Sequence, residues 1–296
     1  AETIKKDDLI YKEAGLNPVP MKQSRPIMQL MSATIEKTAG NLQNLCMTTA
    51  NAAQTQFYKA INMAYMEVST GVKSYTQSFI DALRGIAQQG AVIEYPNSGV
   101  KRSIESAVRM NIITSVNQTC GRLQELRANE VGWDLMEITA HSGTRPSHAE
   151  WQGKIVSLSG QKGYLSKDDI GYGTATGFKG VNCRHDWYPY YKDSTRAYTQ
   201  KELNEWKNEK VTYNGKKYTK YDATQEQRKI ERTIRQDKKE LIAQQKLLTS
   251  KNKDLNIEEI KAEIRNIQIR QKEHNDILDD FLEQTGFRKD YSRLVI

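Results

Sequence analysis

The chain reads His141-Ser-Gly-Thr-Arg145-Pro-Ser-His148-Ala-Glu-Trp151-Gln-Gly153-Lys154 and, further on, Gly171-Tyr-Gly-Thr-Ala-Thr-Gly177-Phe-Lys-Gly-Val-Asn182-Cys183-Arg184-His185-Asp-Trp187. Three of the four histidines, one of the three cysteines and two of the four tryptophans fall in these two blocks. Short β-prone runs frame them. Val131, Trp133 and Leu135 alternate ahead of Ile138-Thr139, and 154–158 and 186–191 are rich in branched and aromatic residues. Gly160, Gly163, Gly171, Gly173, Gly177 and Gly180 supply the turns between them. The stretch is therefore predicted to be a small, loop-rich β element.

Outward from it the apolar residues recur at helical spacing. Ile27, Met31, Ile35, Leu42, Leu45 and Cys46 mark a mildly amphipathic helix over 27–68, and Val72, Tyr75, Phe79, Leu83 and Ile86 mark a second between Gly71 and Gly90. Tyr95-Pro96-Asn97-Ser98-Gly99 is a turn by composition. A third helix from about Ser103 places Ile104, Val108, Ile112, Val116, Leu123 and Leu126 on one side. Its other side carries Lys101, Arg102, Arg109, Asn117, Gln118, Arg122 and Arg127, either a solvated face or one turned to phosphates.

Downstream, Tyr213-Asn214-Gly215-Lys216 predicts a hairpin with a type I′ turn. Ile230, Ile234, Leu241, Ile242 and Leu248, then Ile257, Ile260, Ile264, Ile267, Ile277 and Phe281, predict two antiparallel helices, with Asn256 and Glu259 capping the second. Residues 1–26, holding Pro18, Pro20 and Pro26, show no period and read as an arm or linker. The expected organisation is α+β, mostly α-helical: arm 1–26, helical region 27–130, central domain 131–221 with short strands, and C-terminal helical hairpin 222–296.

The 296 residues carry a net charge of +8, with acids and bases interleaved, so nonspecific contact with nucleic acid is compatible with the charge. No run near 18 apolar residues marks a membrane segment, and Cys46, Cys120 and Cys183 are too few and scattered for a disulfide framework.

Three chemistries suit the central cluster. His141, His148, Cys183 and His185 are a zinc-type donor set, although His-x6-His and Cys-x-His match no common zinc signature. The same residues with Arg145, Asn182, Arg184, Trp151 and Trp187 could equally form a hydrogen-bonded polar knot, the reading those spacings favour. A catalytic Cys183 beside His185 is disfavoured, because residues two apart in a strand do not face each other in the way a nucleophile and base must.

These blocks, with Tyr218-x-x-Tyr-Asp-Ala-Thr-Gln-Glu-Gln-Arg-Lys-Ile-Glu-Arg-Thr-Ile-Arg235, resemble the phage minor capsid protein 2 family, itself similar to minor head proteins typified by the F protein of phage Mu. The shared core corresponds here to Arg145, His148, Gly153, Asn182, Cys183, Arg184 and Pro189. The resemblance runs over about 27–287; Thr144 stands where alanine is commoner, and Asp193-Ser194 where glycine is. It implies a non-enzymatic structural protein of a tailed-phage or prophage head. That protein would be made in the bacterial cytoplasm, carried in the virion in few copies, and bound to the portal protein and inner capsid during head morphogenesis and DNA packaging. Contact with packaged DNA is a further expectation, as is an N-terminus shortened relative to the family. The runner-up is a phage-encoded effector or nucleic-acid enzyme using His148, Cys183 and His185. In all these readings Trp151, Arg184 and Trp187 are the side chains expected to make contact or core.

Overall fold

The computed structural model describes residues 2–89, 92–95, 99–192, 194–250 and 252–296. The protein is α+β and mostly helical, with two compact units. One comprises 1–43, 108–210 and 219–221; the other comprises 44–107, 211–218 and 222–296.

The first unit is built on a three-stranded antiparallel sheet of order β4-β3-β5, where β3 is Leu135–Ile138, β4 Ile155–Ser157 and β5 Trp187–Pro189. The register sets Met136 opposite Val156 and Pro189, and Ile138 opposite Trp187. All three strands fall where the β-prone runs predicted them. Met136, Ile138, Val156 and Trp187 join Trp151, Ile170, Phe178 and Cys183 in one buried core.

The arm expected over 1–26 is instead largely structured: Glu2–Glu13 form a helix, α1. Ile4, Asp7 and Tyr11 are buried at spacings of three and four, so one face is covered. Tyr11 meets the edge of Trp133 at 5.8 Å, and Asp8 pairs with Arg127 at 2.9 Å. Arg127 lies on a helix, α4 (Ile104–Glu130), and also reaches the carbonyl of Val19 at 2.6 Å. This corrects the face assignment for that helix. Arg127 and Gln124 are buried, while Ile112 and Val116 of the supposed core side are exposed. The side of a helix that is covered depends on its neighbours, and here α1 offers a carboxylate for Arg127.

Asp7 gives this packing a pH signature. Burial pushes its carboxyl up to about 7, against a hydrogen bond from Gln124; Asp186 and Asp8 push the same way, and Lys179 opposes them. A carboxyl raised in the folded state stabilises it at low pH, and that contribution is lost as pH rises through the folded value. The stability of the wild type relative to Asp7→Asn should therefore fall by about 2–4 kcal/mol between about pH 4 and pH 7. Urea unfolding of both proteins at each pH checks it; a constant difference would place Asp7 in water.

A short helix missed by the sequence reading, α6 (Gln200–Asn208), opens with a capping box between Thr199 and Glu202. Leu203 on it covers Gly153.

In the second unit, a helix α3 (Tyr75–Gln89) accompanies α7 (Lys220–Leu248) and α8 (Ile257–Thr285). Asp237 of α7 pairs with Arg270 and His274 of α8, Ile234 clusters with Leu278, and Leu247 with Ile260. The two helices are thus antiparallel, as predicted, and Asn256 caps the second by accepting from the backbone N–H groups of Glu258 and Glu259. Their interface differs from the apolar stripe expected. Gln227, Glu231, Asp237, Glu240 and Gln244 are buried on α7, whereas Ile242 is 48% exposed. Several of their polar atoms are answered across the packing: Glu240 accepts from Arg270 and Gln88, and Gln244 donates to the carbonyl of Ile80 at 3.1 Å.

The predicted hairpin forms from β6 (Lys210–Tyr213) and β7 (Lys216–Thr219), with Asn214 and Gly215 at φ 49° and 73°. A further hairpin, β1 (Val92–Tyr95) with β2 (Val100–Ser103), brackets the turn read by composition. Residues 96–98 of that turn lie outside the described residues, as do Gly90 and Asp193. The longest helix, α2 (Arg25–Ser69), has 45 residues and leaves Phe57, Tyr58, Ile61, Met63, Tyr65 and Met66 exposed.

Candidate functional site

The residues singled out in the sequence converge beside the end of β3. The strand delivers His141, whose backbone N–H donates to Gln152 Oε1 at 3.2 Å. Arg145 precedes Pro146 in extended backbone, as a residue before proline does, and Pro146 opens a single turn, α5 (Pro146–Ala149), that carries His148. Trp151 and Gly153 follow. Gly153 has φ 67° and donates its N–H to the carbonyl of Ile138 at 3.1 Å, closing the loop back onto the strand. A side chain there would press on Leu203.

The second block returns through the glycine-rich loop. Phe178 N–H donates to the carbonyl of Ile170 at 2.9 Å, and Cys183 N–H to that of Gly180 at 3.1 Å. Lys179 and Asn182 both take left-handed backbone, at φ 58° and 57°. Asparagine adopts that conformation more readily than most residues, which accounts for Asn182 although its side chain is exposed. Thr139 and Asp186 then exchange hydrogen bonds that hold the loop to the sheet at 2.8 Å.

Between the two blocks lie the rings. Trp151 stands 4.5 Å from the His148 ring and 4.8 Å from His185, and meets the edge of Phe178 at 5.7 Å. His141 stacks on His185 at 4.6 Å, inclined by 26°. The Cys183 sulfur is 3.6 Å from His185 Nδ1. Among the described residues, His148, Cys183 and His185 bring ligand-type atoms within 4.8 Å of one another, and all three are buried.

Each histidine has one ring nitrogen tied to oxygen. His148 Nε2 lies 2.8 Å from the carbonyl of Thr176, so it donates. His141 Nδ1 donates to the carbonyl of Ser142 at 3.0 Å. His185 Nε2 stands 3.2 Å from both Gln152 Oε1 and Thr144 Oγ1. Those partners assign the tautomers and leave a lone pair on the opposite nitrogen of each ring. His141 Nε2 is shielded from solvent and has no hydrogen-bond partner.

Burial disfavours charge on His148, Cys183 and His185. Burial, helped by the neighbouring His141 and His148, pushes His185 down to about 2. Burial likewise lowers His148 and raises the Cys183 thiol. A nucleophilic cysteine needs the opposite shift and access to a substrate, whereas Cys183 is 5% exposed.

Of the residues picked from the sequence, Trp187 is core at 1% exposure and Arg145 anchors the loop through the carbonyl of Val181 at 3.3 Å. Arg184 is exposed. The sequence reading missed Lys179, which is fully buried. Its ammonium contacts Asp186 at 2.6 Å and Asn117 at 3.0 Å, and sits 5.5 Å from the Phe178 ring centre. It also missed Gln152 and Thr144, the oxygen partners of His185. A lysine or glutamine beside an aromatic residue gives no sequence signal of burial, because its partners come from distant segments.

Set against known proteins, residues 1–276 match the family model described as phage minor capsid protein 2. The chain is similar to a protein described as a structural protein of Lactococcus phage LL-H, 27% identical over 215 residues. That match takes in 66% of this chain and 58% of the relative's length. No solved structure matches.

Proposed function

The chain belongs to the phage minor capsid protein 2 family, and on that premise we propose that it is a structural protein of the virion that docks on the portal and the inner capsid. The observation that carries the docking is the surface of α2. Tyr65 is 74% exposed and Met63 65%, with Phe57, Tyr58, Ile61 and Met66 beside them on the same ten-residue stretch. Large apolar groups crowded on one exposed segment favour burial against a partner. A head protein's obvious partners are the shell and the portal vertex. No helix among the described residues is long and apolar enough to cross a membrane.

Contact with packaged DNA is the secondary reading, supported by the net charge of +8. The buried, neutral Cys183 weighs against the enzyme alternative, which needs an activated thiolate.

Mass spectrometry of gradient-purified particles, compared with tailless empty heads from the same phage, tests the reading. The chain is expected in both, at a few copies per portal. Expression during infection with absence from both kinds of particle would defeat it. Tyr65→Glu with Met66→Glu should leave the monomer folded and strip the chain from particles.

A further inference from the structure

We propose that His148, Cys183 and His185, with His141 as the fourth ligand, form a structural zinc site that staples the glycine-rich loop to the sheet. The first ground is distance. With Zn–S near 2.3 Å and Zn–N about 2.0–2.1 Å, sulfur and nitrogen ligands of a tetrahedron stand roughly 3.6 Å apart. Cys183 Sγ and His185 Nδ1 are 3.6 Å apart, and the full triad falls within 4.8 Å, a gap that side-chain rotation closes.

The second ground is the outer partners. Zinc-bound histidines nearly always donate their other ring nitrogen to a carbonyl, carboxylate or water, which fixes the ring and the tautomer. All three histidines are already held that way, by Thr176, Ser142 and Gln152. The third ground is His141 Nε2: a shielded nitrogen lone pair without a partner, on a ring stacked against His185, is left unexplained by a hydrogen-bonded knot.

The donor set favours zinc over calcium or magnesium, which take oxygen ligands. On binding, the Cys183 S–H bond breaks, the Zn–S bond forms and the proton leaves to water; nothing is oxidised or reduced. Four protein ligands leave no open position, so the site would be structural. The need is local. Among the described residues between β4 and β5, regular pairing is confined to the isolated bridge of Leu165 with Val156. A metal held by His141 and His148 from the β3–β4 segment and by Cys183 and His185 at the end of the β4–β5 loop would tie the two segments together, and its binding free energy would add to folding.

The full chain, purified without chelator, should hold one zinc per molecule by elemental mass spectrometry. Chelation should lower its melting temperature, and cobalt in place of zinc should give a thiolate-to-cobalt charge-transfer band together with tetrahedral d–d intensity. Cys183→Ser should abolish the charge-transfer band and weaken zinc binding by more than the roughly 10–100-fold that loss of an outer partner causes. Gln152→Ala should fall within that 10–100-fold range. His141→Ala should also weaken binding; unchanged affinity would remove it from the ligand set. Should Cys183→Ser fail to fold, the wild-type cobalt spectrum decides. A folded wild type that takes up only substoichiometric zinc from excess metal, or cobalt without the thiolate band, would overturn the site.

Discussion

Trp187→Ala is expected to destabilise the first unit by about 3–5 kcal/mol, the range for removing a buried tryptophan or phenylalanine side chain. Trp187 is 1% exposed, with Phe178 at 4.8 Å and Tyr172 at 5.1 Å from its ring, and it lies opposite Ile138 in the sheet register. Its carbonyl accepts from Gln124 of α4 at 2.7 Å, so one residue ties the sheet, the glycine loop and a helix together. Urea unfolding followed by circular dichroism measures the loss. Trp187→Phe should recover most of the stability, because the indole N–H has no partner and its removal forfeits no hydrogen bond. A loss below about 1 kcal/mol for the alanine variant would show that the tryptophan is not the centre of this core.

Gly177→Ala should be nearly as severe for a different reason. A Cβ built there would lie 2.1 Å from the carbonyl oxygen of Gly171 and 2.6 Å from its carbon. Neither atom belongs to a flexible side chain, so the backbone itself must move. The expected loss is about 3 kcal/mol or more, at the upper end for overpacking, or a fall of roughly 6–12 °C in melting temperature for a unit of this size. The shift would also displace Phe178, which is fully buried, and the Thr176 carbonyl that holds His148. Gly173→Ala is the contrast: φ is 88° but the space is open, so only backbone strain of about 1–2 kcal/mol is expected. Equal melting temperatures for the two variants would contradict the close loop crossing.

Much of the site could be read from residue types. Histidine, cysteine and tryptophan are uncommon, and their concentration in two blocks pointed to one place before any contact was known. The three short strands were legible for a similar reason: Ile138-Thr139, 154–158 and 186–191 have few conformations that suit them better than a half-buried strand. Asn214-Gly215 and Asn256 were legible because their backbone requirements are local.

The rest depended on partners far away in sequence. Helix α1 carries Ile4 and Tyr11 in a segment too short and polar to declare itself, and it forms because Trp133, Arg127 and Tyr191 supply a place for it. The polar groups on the covered face of α7 would be a solvated stripe on an isolated helix. They become interior because Arg270 of α8 and Arg84 and Gln88 of α3 answer them.

Sequence alone determined the long helices, the central strands, the Asn214-Gly215 turn and the chemical identity of the cluster, since these follow from backbone preferences and side-chain types. Only the tertiary structure decided which faces are covered, that Lys179 is buried against Asp186, and that two histidines and a cysteine from two blocks bring ligand-type atoms within 4.8 Å of one another, with His141 stacked on His185. Burial and long-range pairing are free energies of groups brought together from distant parts of the chain. No local pattern contains them.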